Sequence, residues 1–528
     1  MQTIYRNGTI LTMETGKTAE AVLTENGKIL AVGDEASVFA AAKPGARQFD
    51  LEHGTLMPSF IDAHSHISSA AVTLLQVSLE DCCNFDAIAE KIRGFIQQQK
   101  IPAGQWVTAN GYDHNTLQEH QHPTKELLDR SAPQNPVLIA HQSGHMGVAN
   151  SLALQKLGIS ANTKDPDGGK IVRENGHPTG LLEEAAYVSS ARQVPMPAPE
   201  DLLNAYRRVQ RKYASYGITT VQEGMMVAQM EPLYRMLLST DVMKLDLVAY
   251  PALDDWKSLY NAFPQCGEEY FNHIRFGGIK MILDGSPQGR TAWMRTPYEG
   301  EDNFCGYPAL KDEAVLNAVR EAKNHGMQIL AHCNGDAACN QFLCACTTVA
   351  QEQGSVADIR PVMIHAQLLG LDQLDEVKRL SVIPSFFVAH AYHWGDIHIR
   401  NFGFERAARI SPAASALQKG IRFTFHQDTP VIEPDMLETV WSAVCRQTKS
   451  GVVLGKEERI SVYEALRAVT INAAYQYFEE EKKGSIAAGK QADFVVLDHN
   501  PLQMEPERLR EIHVRHTIKD DEVIYTNS

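Results

Sequence analysis

The sequence predicts an α/β fold: a (β/α)8 TIM-type barrel with a small β-sandwich built from both termini and a cap inserted after barrel strand 1. Three observations carry this. Apolar strand-like runs alternate with helical stretches through the middle of the chain, the pattern of parallel strands joined by crossover helices. Short alternating runs at the two ends resemble each other. A stretch from about 69 to 205 separates the first apolar run from the next by far more chain than one helix and two loops require.

Residues 1–56 hold the runs Thr3-Ile4-Tyr5, Thr9 to Met13, Ala21 to Thr24 and Ile29 to Gly33, with Asn26-Gly27 between the last two as a hairpin turn signal. Residues 484–528 supply a matching set at Phe494 to Leu497, His513 to Ile518 and Val523 to Tyr525. Neither end alone has enough strands to bury a face, so the two are expected to pair into one composite β-sandwich. Between them, 57–483 forms the predicted barrel domain. Candidate strands are 60–66, 136–141, 218–223, 245–251, 274–283, 327–332, 361–365, 381–387 and 421–427, one more than a barrel needs. Assigning 136–141 to the inserted subdomain leaves eight.

Composition narrows the function. A net charge of −15 without a basic run argues against nucleic acid or an anionic membrane as partner. No window reaches the 18 or more apolar residues of a span, and the N-terminus lacks a signal-peptide pattern, so a cytoplasmic protein is expected. Nine cysteines with no Cys-x-x-Cys pair indicate neither a disulfide framework nor a thiolate zinc site.

The chemistry-bearing residues fall at strand ends. Phe60 to His66 is read as a strand ending in His64-Ser65-His66. Alternation along a strand puts both imidazoles on one face, roughly 6.6 Å apart, where they can share one metal ion. Strand 4 carries Lys280 in an apolar run, strands 5 and 6 end in His332 and His365, and strand 8 runs into Asp428. Each has a plain structural reading alone, as a capping, paired or core residue. Four histidines, a lysine and an aspartate at the same end of five strands make a metal centre the economical reading of them together.

The order His-x-His, Lys, His, His, Asp, flanked by a split β-sandwich, resembles the amidohydrolase superfamily over nearly the whole chain. Gly144-His145-Met146, Ala149-Asn150-Ser151, Gly180 to Ala186, Lys280 to Gly285, Thr470 to Ala474 and Gly489 to Asp493 resemble the branch containing N-substituted formamide deformylase and the YtcJ-like proteins. The chain departs from the family pattern at Ser59, where Pro-Gly-Phe is usual, and at Ile364, where a glutamate commonly precedes the histidine. Neither position is a ligand candidate.

The resemblance implies a metal-dependent hydrolase of a C–N amide-type bond, such as an N-formyl or N-acyl amine. His64, His66 and Asp428 would hold one zinc ion and His332 and His365 a second. Lys280, carboxylated on its amine, would bridge them; a single-metal site with an ordinary Lys280 is the alternative. Asp428 would act as base and then acid, and His145 as carbonyl partner. Tyr112 and Asp113 in the insertion, and His390, Tyr392 and Trp394 after strand 7, are expected substrate contacts, with Glu223 a weaker candidate. A deaminase, or a hydrolase of esters or cyclic amides, remains open on the same centre. So does a non-catalytic scaffold of the same fold. The expected partner is a small-molecule substrate, with a homodimer as the expected assembly.

Overall fold

A computed structural model describes residues 1–527 apart from 143–145, 167, 196 and 268. The chain divides into two compact units, one formed by residues 1–68 and 209–528, the other by 69–208.

In the first unit, both termini enter one six-stranded sheet. Phe494–Leu497 pairs with Thr55–Pro58 on one side and Val514–Lys519 on the other, and Thr55–Pro58 continues to Thr9–Leu11. A four-stranded sheet of Gln2–Arg6, Ala21–Glu25, Lys28–Gly33 and Arg47–Asp50 accompanies it. Tyr5, Val22, Ile29, Leu56, Phe494 and Ile518 form their shared core. A buried charge cluster ties this layer to the parallel strands: Asp246 Oδ2 accepts from Lys483 Nζ at 2.7 Å and from Lys519 Nζ at 2.9 Å.

The parallel strands form two sheets, alternating with helices such as Asp312–Asn324 and Asp336–Gln353. Phe60–Ile61, Ile218–Met226, Asp246–Pro251 and Ile274–Phe276 make the first. Gly278–Ile282, Gln328–Cys333, Val362–His365, Ile383–Phe386 and Thr424–Phe425 make the second. The predicted strand 274–283 is two pieces separated at Gly277, where only glycine fits because a Cβ would stand 2.4 Å from the Tyr250 ring. Leu253 N–H donates to Lys280 O at 2.8 Å, linking the sheets on that side. On the other side the ladder does not close, yet His66 N–H donates to Thr429 O at 2.8 Å and Asp428 N–H to His64 O at 3.3 Å.

The predicted first and last strands are much shorter than expected. Regular pairing stops at Ile61 and Phe425, so His64, His66 and Asp428 lie on the turns beyond. Those turns are held from below by buried polar side chains. Tyr477 OH donates to Asp62 O at 2.7 Å, and Ala63 O accepts from Gln222 Nε2 at 2.9 Å and Gln476 Nε2 at 2.8 Å. The backbone that leaves the strand therefore has its carbonyls satisfied by side chains in place of a ladder, which buried carbonyls require.

The second unit holds a six-stranded mixed sheet in which Val107–Tyr112 runs parallel to Val137–His141. Its core includes Leu79, Ile88, Ile92, Val107, Val137 and Ile139. Among the described residues no helix is long and apolar enough to cross a membrane.

Candidate metal centre

His64, His66 and Asp428 converge. His64 Nε2 lies 3.5 Å and His66 Nε2 3.3 Å from Asp428 Oδ1. Ligands at about 2.0–2.2 Å from one ion stand roughly 3.3–3.5 Å apart in a tetrahedral arrangement, so this triangle has the right size. Among the described residues Asp428 Oδ1 accepts no hydrogen bond although it is buried. A buried carboxylate oxygen without a donor is costly unless a cation meets it.

Each imidazole is oriented from behind. Gln222 donates through Nε2 to Ala63 O and to Tyr477 OH, which leaves Oε1 facing His64 Nδ1 at 2.5 Å. An amide oxygen can only accept, so the proton sits on Nδ1 and the Nε2 lone pair faces the centre. His66 Nδ1 lies 3.5 Å from Glu223 Oε1, and Glu223 is itself held by Ser68 N–H at 3.0 Å. Gly224 follows because nothing larger fits: a Cβ there would stand 2.4 Å from His64 Cε1.

The other predicted ligands border this triangle. Lys280 Nζ lies 3.3 Å from His64 Nε2, and His365 Nε2 3.9 Å from Asp428 Oδ2. The His332 and His365 rings are 4.6 Å apart. His332 Nδ1 stands 3.3 Å from Asp284 Oδ1 but makes no hydrogen bond among the described residues. The Asp284 carboxylate accepts instead from the backbone N–H groups of Trp293, Asn334 and Gly335, fixing the loop after His332. Both His365 and Asp428 have positive φ, 71° and 54°, a strained backbone for these residues that recurs at functional sites.

His426, absent from the sequence reading, lies at the middle of the cluster. It is fully buried, its ring is 5.2 Å from His64 and 5.1 Å from His365, its Nε2 is 3.1 Å from His365 Nδ1 and its Nδ1 is 3.0 Å from Ser385 Oγ. Its position two residues before Asp428 is the same i, i+2 signal that singles out His64 and His66.

Protonation follows burial and charge. Burial drives His64 and His365 well below the ordinary imidazole value and His426 down to about 3, so all three are neutral lone-pair donors. Burial would lower His66 too, but the carboxylates of Asp428 and Glu223 outweigh it and lift the group to about 9. Burial raises the Asp428 carboxyl, and its contact with His66 more than reverses this, holding it below the usual range. Burial lowers the Lys280 amine to about 8 against the opposing pull of Asp428.

Among the expected substrate contacts, the structure treats each differently. His390 is buried and separated from the cluster by Phe387, whose ring is 4.5 Å from His390 and 5.3 Å from His426. Trp394 packs on the same Phe387 at 5.8 Å. Tyr392 turns away, its ring 5.1 Å from Trp441 with Arg510 over it at 5.1 Å, so the structure does not bring it to the cluster. Residues 390–393 are helical, and a helix sends neighbouring side chains to different sides. Tyr112 and Asp113 lie in the second unit. His145 falls outside the described residues.

These donors suit a divalent metal: imidazole nitrogens, of which His66 must give up its proton to bind, an ionised carboxylate, and an oxygen left without a hydrogen bond. Residues 47–525 match the Amidohydrolase family. The YtcJ protein of Bacillus subtilis is 28% identical over 558 residues, covering 100% of both chains. N-substituted formamide deformylase of Arthrobacter pascens is 30% identical over 520 residues, covering 96% of this chain and 95% of that one. In fold, the chain resembles the crystal structure of a metal-dependent hydrolase from Pyrococcus horikoshii, with a TM-score of 0.80, 23% identity, and coverage of 96% of this chain and 99% of that one. With the family matched over most of its length and His64, His66 and Asp428 gathered in one cluster, this chain belongs to the amidohydrolase family and is a metal-dependent hydrolase of carbon–nitrogen bonds.

Proposed function

We propose that this protein hydrolyses the C–N bond of a small N-formyl or N-acyl amine at a zinc centre held by His64, His66 and Asp428, with His332, His365 and Lys280 beside it. The triangle of His64 Nε2, His66 Nε2 and Asp428 Oδ1 carries the reading, because its edges of 3.3 and 3.5 Å fit one small divalent ion. The deformylase relative, 30% identical over 96% of this chain, supports a formamide-like substrate. The same proposal takes the two parallel sheets as halves of one (β/α)8 barrel, with the backbone bonds between 64–66 and 428–429 completing the ring.

When bound, the metal supplies Lewis-acid polarisation of the substrate carbonyl and makes water nucleophilic near neutral pH. The chain's own residues do the rest. Asp428, ionised across the neutral range, accepts the proton released as the attacking water bonds to the carbonyl carbon. It returns that proton to the nitrogen as the C–N bond breaks, so the amine leaves neutral. Gln222 and Glu223 keep the two imidazoles aimed. Phe387, packed against His426 and His390, forms an apolar wall that excludes water beside the reacting carbon. Lys280, lowered by burial to about 8, is about one tenth neutral at pH 7, and that form would react with carbon dioxide to give a carbamate able to hold a metal ion.

A zinc-supplemented screen over N-formyl amines, N-acyl amino acids, cyclic amides and aryl esters tests the reading, with His64→Ala as control. Turnover of the formyl or acyl amines, lost in the control, is expected. Asp428→Asn should keep most of the metal and lose about 10²–10⁴-fold in turnover. Full activity in that variant would exclude the proton-carrying role. One zinc per chain, unchanged by bicarbonate, would exclude the carbamate bridge.

A further inference from the structure

The second unit contains another convergence of ligand atoms. Val107–Tyr112 and Val137–His141 are parallel neighbours paired at Tyr112 and His141, so both strands end at the same level. Asp113 and His114 leave one end while His141 closes the other. His141 Nε2 lies 3.2 Å from His114 Nδ1 and 3.3 Å from Asp113 Oδ1, and His114 Nδ1 lies 3.8 Å from the same oxygen. The two edges from His141 lie at the roughly 3.3–3.5 Å separation of ligands around one tetrahedral ion, and the third, 3.8 Å, is slightly longer.

We propose that Asp113, His114 and His141 form a second metal site, wholly within the inserted unit, for a zinc-class divalent ion. Two features support it. The carboxylate is held in place: Asn115 donates to Asp113 Oδ1 from its backbone N and from Nδ2, both at 2.9 Å, and Gln142 Nε2 donates to Oδ2 at 2.7 Å. Such outer partners orient a ligand before the ion arrives. His114 is also clamped, stacked on the His122 ring at 4.0 Å, and His122 Nδ1 is within 3.0 Å of Tyr112 OH. A single carboxylate leaves a 2+ ion partly uncompensated, and His114, 29% exposed, leaves a path for entry and for water to complete the coordination.

A hydrogen-bonded cluster of the same residues is the competing explanation, and stoichiometry separates the two. Full-length protein stripped with chelator is titrated with Zn²⁺ against a chromophoric competing chelator. The variant His64→Ala/Asp428→Asn, disabled at the barrel centre, is expected to keep one tight equivalent. Adding His114→Gln and His141→Gln to that background should remove it. If the barrel-disabled variant binds no tight equivalent, or the added changes leave its binding unaltered, the site is a hydrogen-bond cluster and the inference is overturned. Asp113→Asn serves as a milder variant should the histidine pair fail to fold. It preserves shape and should weaken that equivalent at least tenfold with an unchanged circular dichroism spectrum; unchanged affinity would overturn the proposal equally. Because the test starts from a disabled barrel centre, its failure is distinguishable from failure of the proposed hydrolase reaction.

Discussion

Gln222→Leu isolates the orientation of one ligand. The wild-type amide makes three buried contacts: His64 Nδ1 at 2.5 Å, Ala63 O at 2.9 Å and Tyr477 OH at 2.8 Å. Leucine removes all three, but two of the partners keep another bond. Ala63 O still accepts from Gln476 Nε2 at 2.8 Å, and Tyr477 OH still donates to Asp62 O at 2.7 Å. Only the His64 N–H is left unsatisfied in a fully buried site, which costs about 1–3 kcal/mol. Freed from its acceptor, the imidazole can also take the other tautomer and turn its lone pair away from Asp428. Loss of such an outer partner weakens metal binding by about 10–100-fold, or roughly 1.4–2.7 kcal/mol. Urea unfolding of the metal-free protein measures the first quantity and zinc competition with a chromophoric chelator the second. Gln222→Glu, which retains an acceptor for Nδ1, should bind more tightly than the leucine variant. A leucine variant within about threefold of wild-type affinity, alongside a His64→Ala protein that has lost the ion, would refute the orientation argument.

Three further outcomes follow from the same geometry. Gly224→Ala should cost metal without a large loss of fold, since its Cβ would meet His64 Cε1 at 2.4 Å and Ser65 O at 3.0 Å; metal analysis beside a thermal melt checks this. Asp246→Ala takes the nearest carboxylate from the buried Lys483 and Lys519 ammonium groups and leaves them the longer contacts to Glu479 at 3.2 Å and Asp493 at 3.4 Å, so a loss of up to about 3–5 kcal/mol in chemical unfolding is expected. In metal-free protein His66 rises from 6.5 to about 9, so its stabilisation is fully present below pH 6.5 and fades as pH climbs through 9. The metal must displace that proton, and zinc affinity should rise about tenfold per pH unit toward pH 9, a slope that His66→Gln abolishes.

Much of the centre could be read from local spacing, and its geometry could not. His64 and His66 do face the same space, though not for the reason alternation suggests. The strand stops at Ile61, and the turn that carries them is shaped by Gln222, Gln476 and Tyr477. His426 follows Phe423, Thr424 and Phe425, which read as core, so the i, i+2 relation to Asp428 is its only local mark. Tyr392 sits in a run of aromatic and polar rings, but helical geometry turns it toward Trp441 and Arg510, a direction no composition reveals. Asp113 and His141 look unrelated along the chain. They become neighbours only through the register that pairs Tyr112 with His141.

The sequence by itself determined which chemistry was possible. Period-2 apolar runs alternating with helical stretches, and histidines and an aspartate at the ends of those runs, are local properties that survive reading one residue at a time. Tertiary structure alone decided which lone pairs meet. Ligand atoms must converge to within a few tenths of an ångström, and that spacing between residues as distant in sequence as His64 and Asp428 is the combined result of strand register, buried hydrogen bonds and the close approach permitted at Gly224.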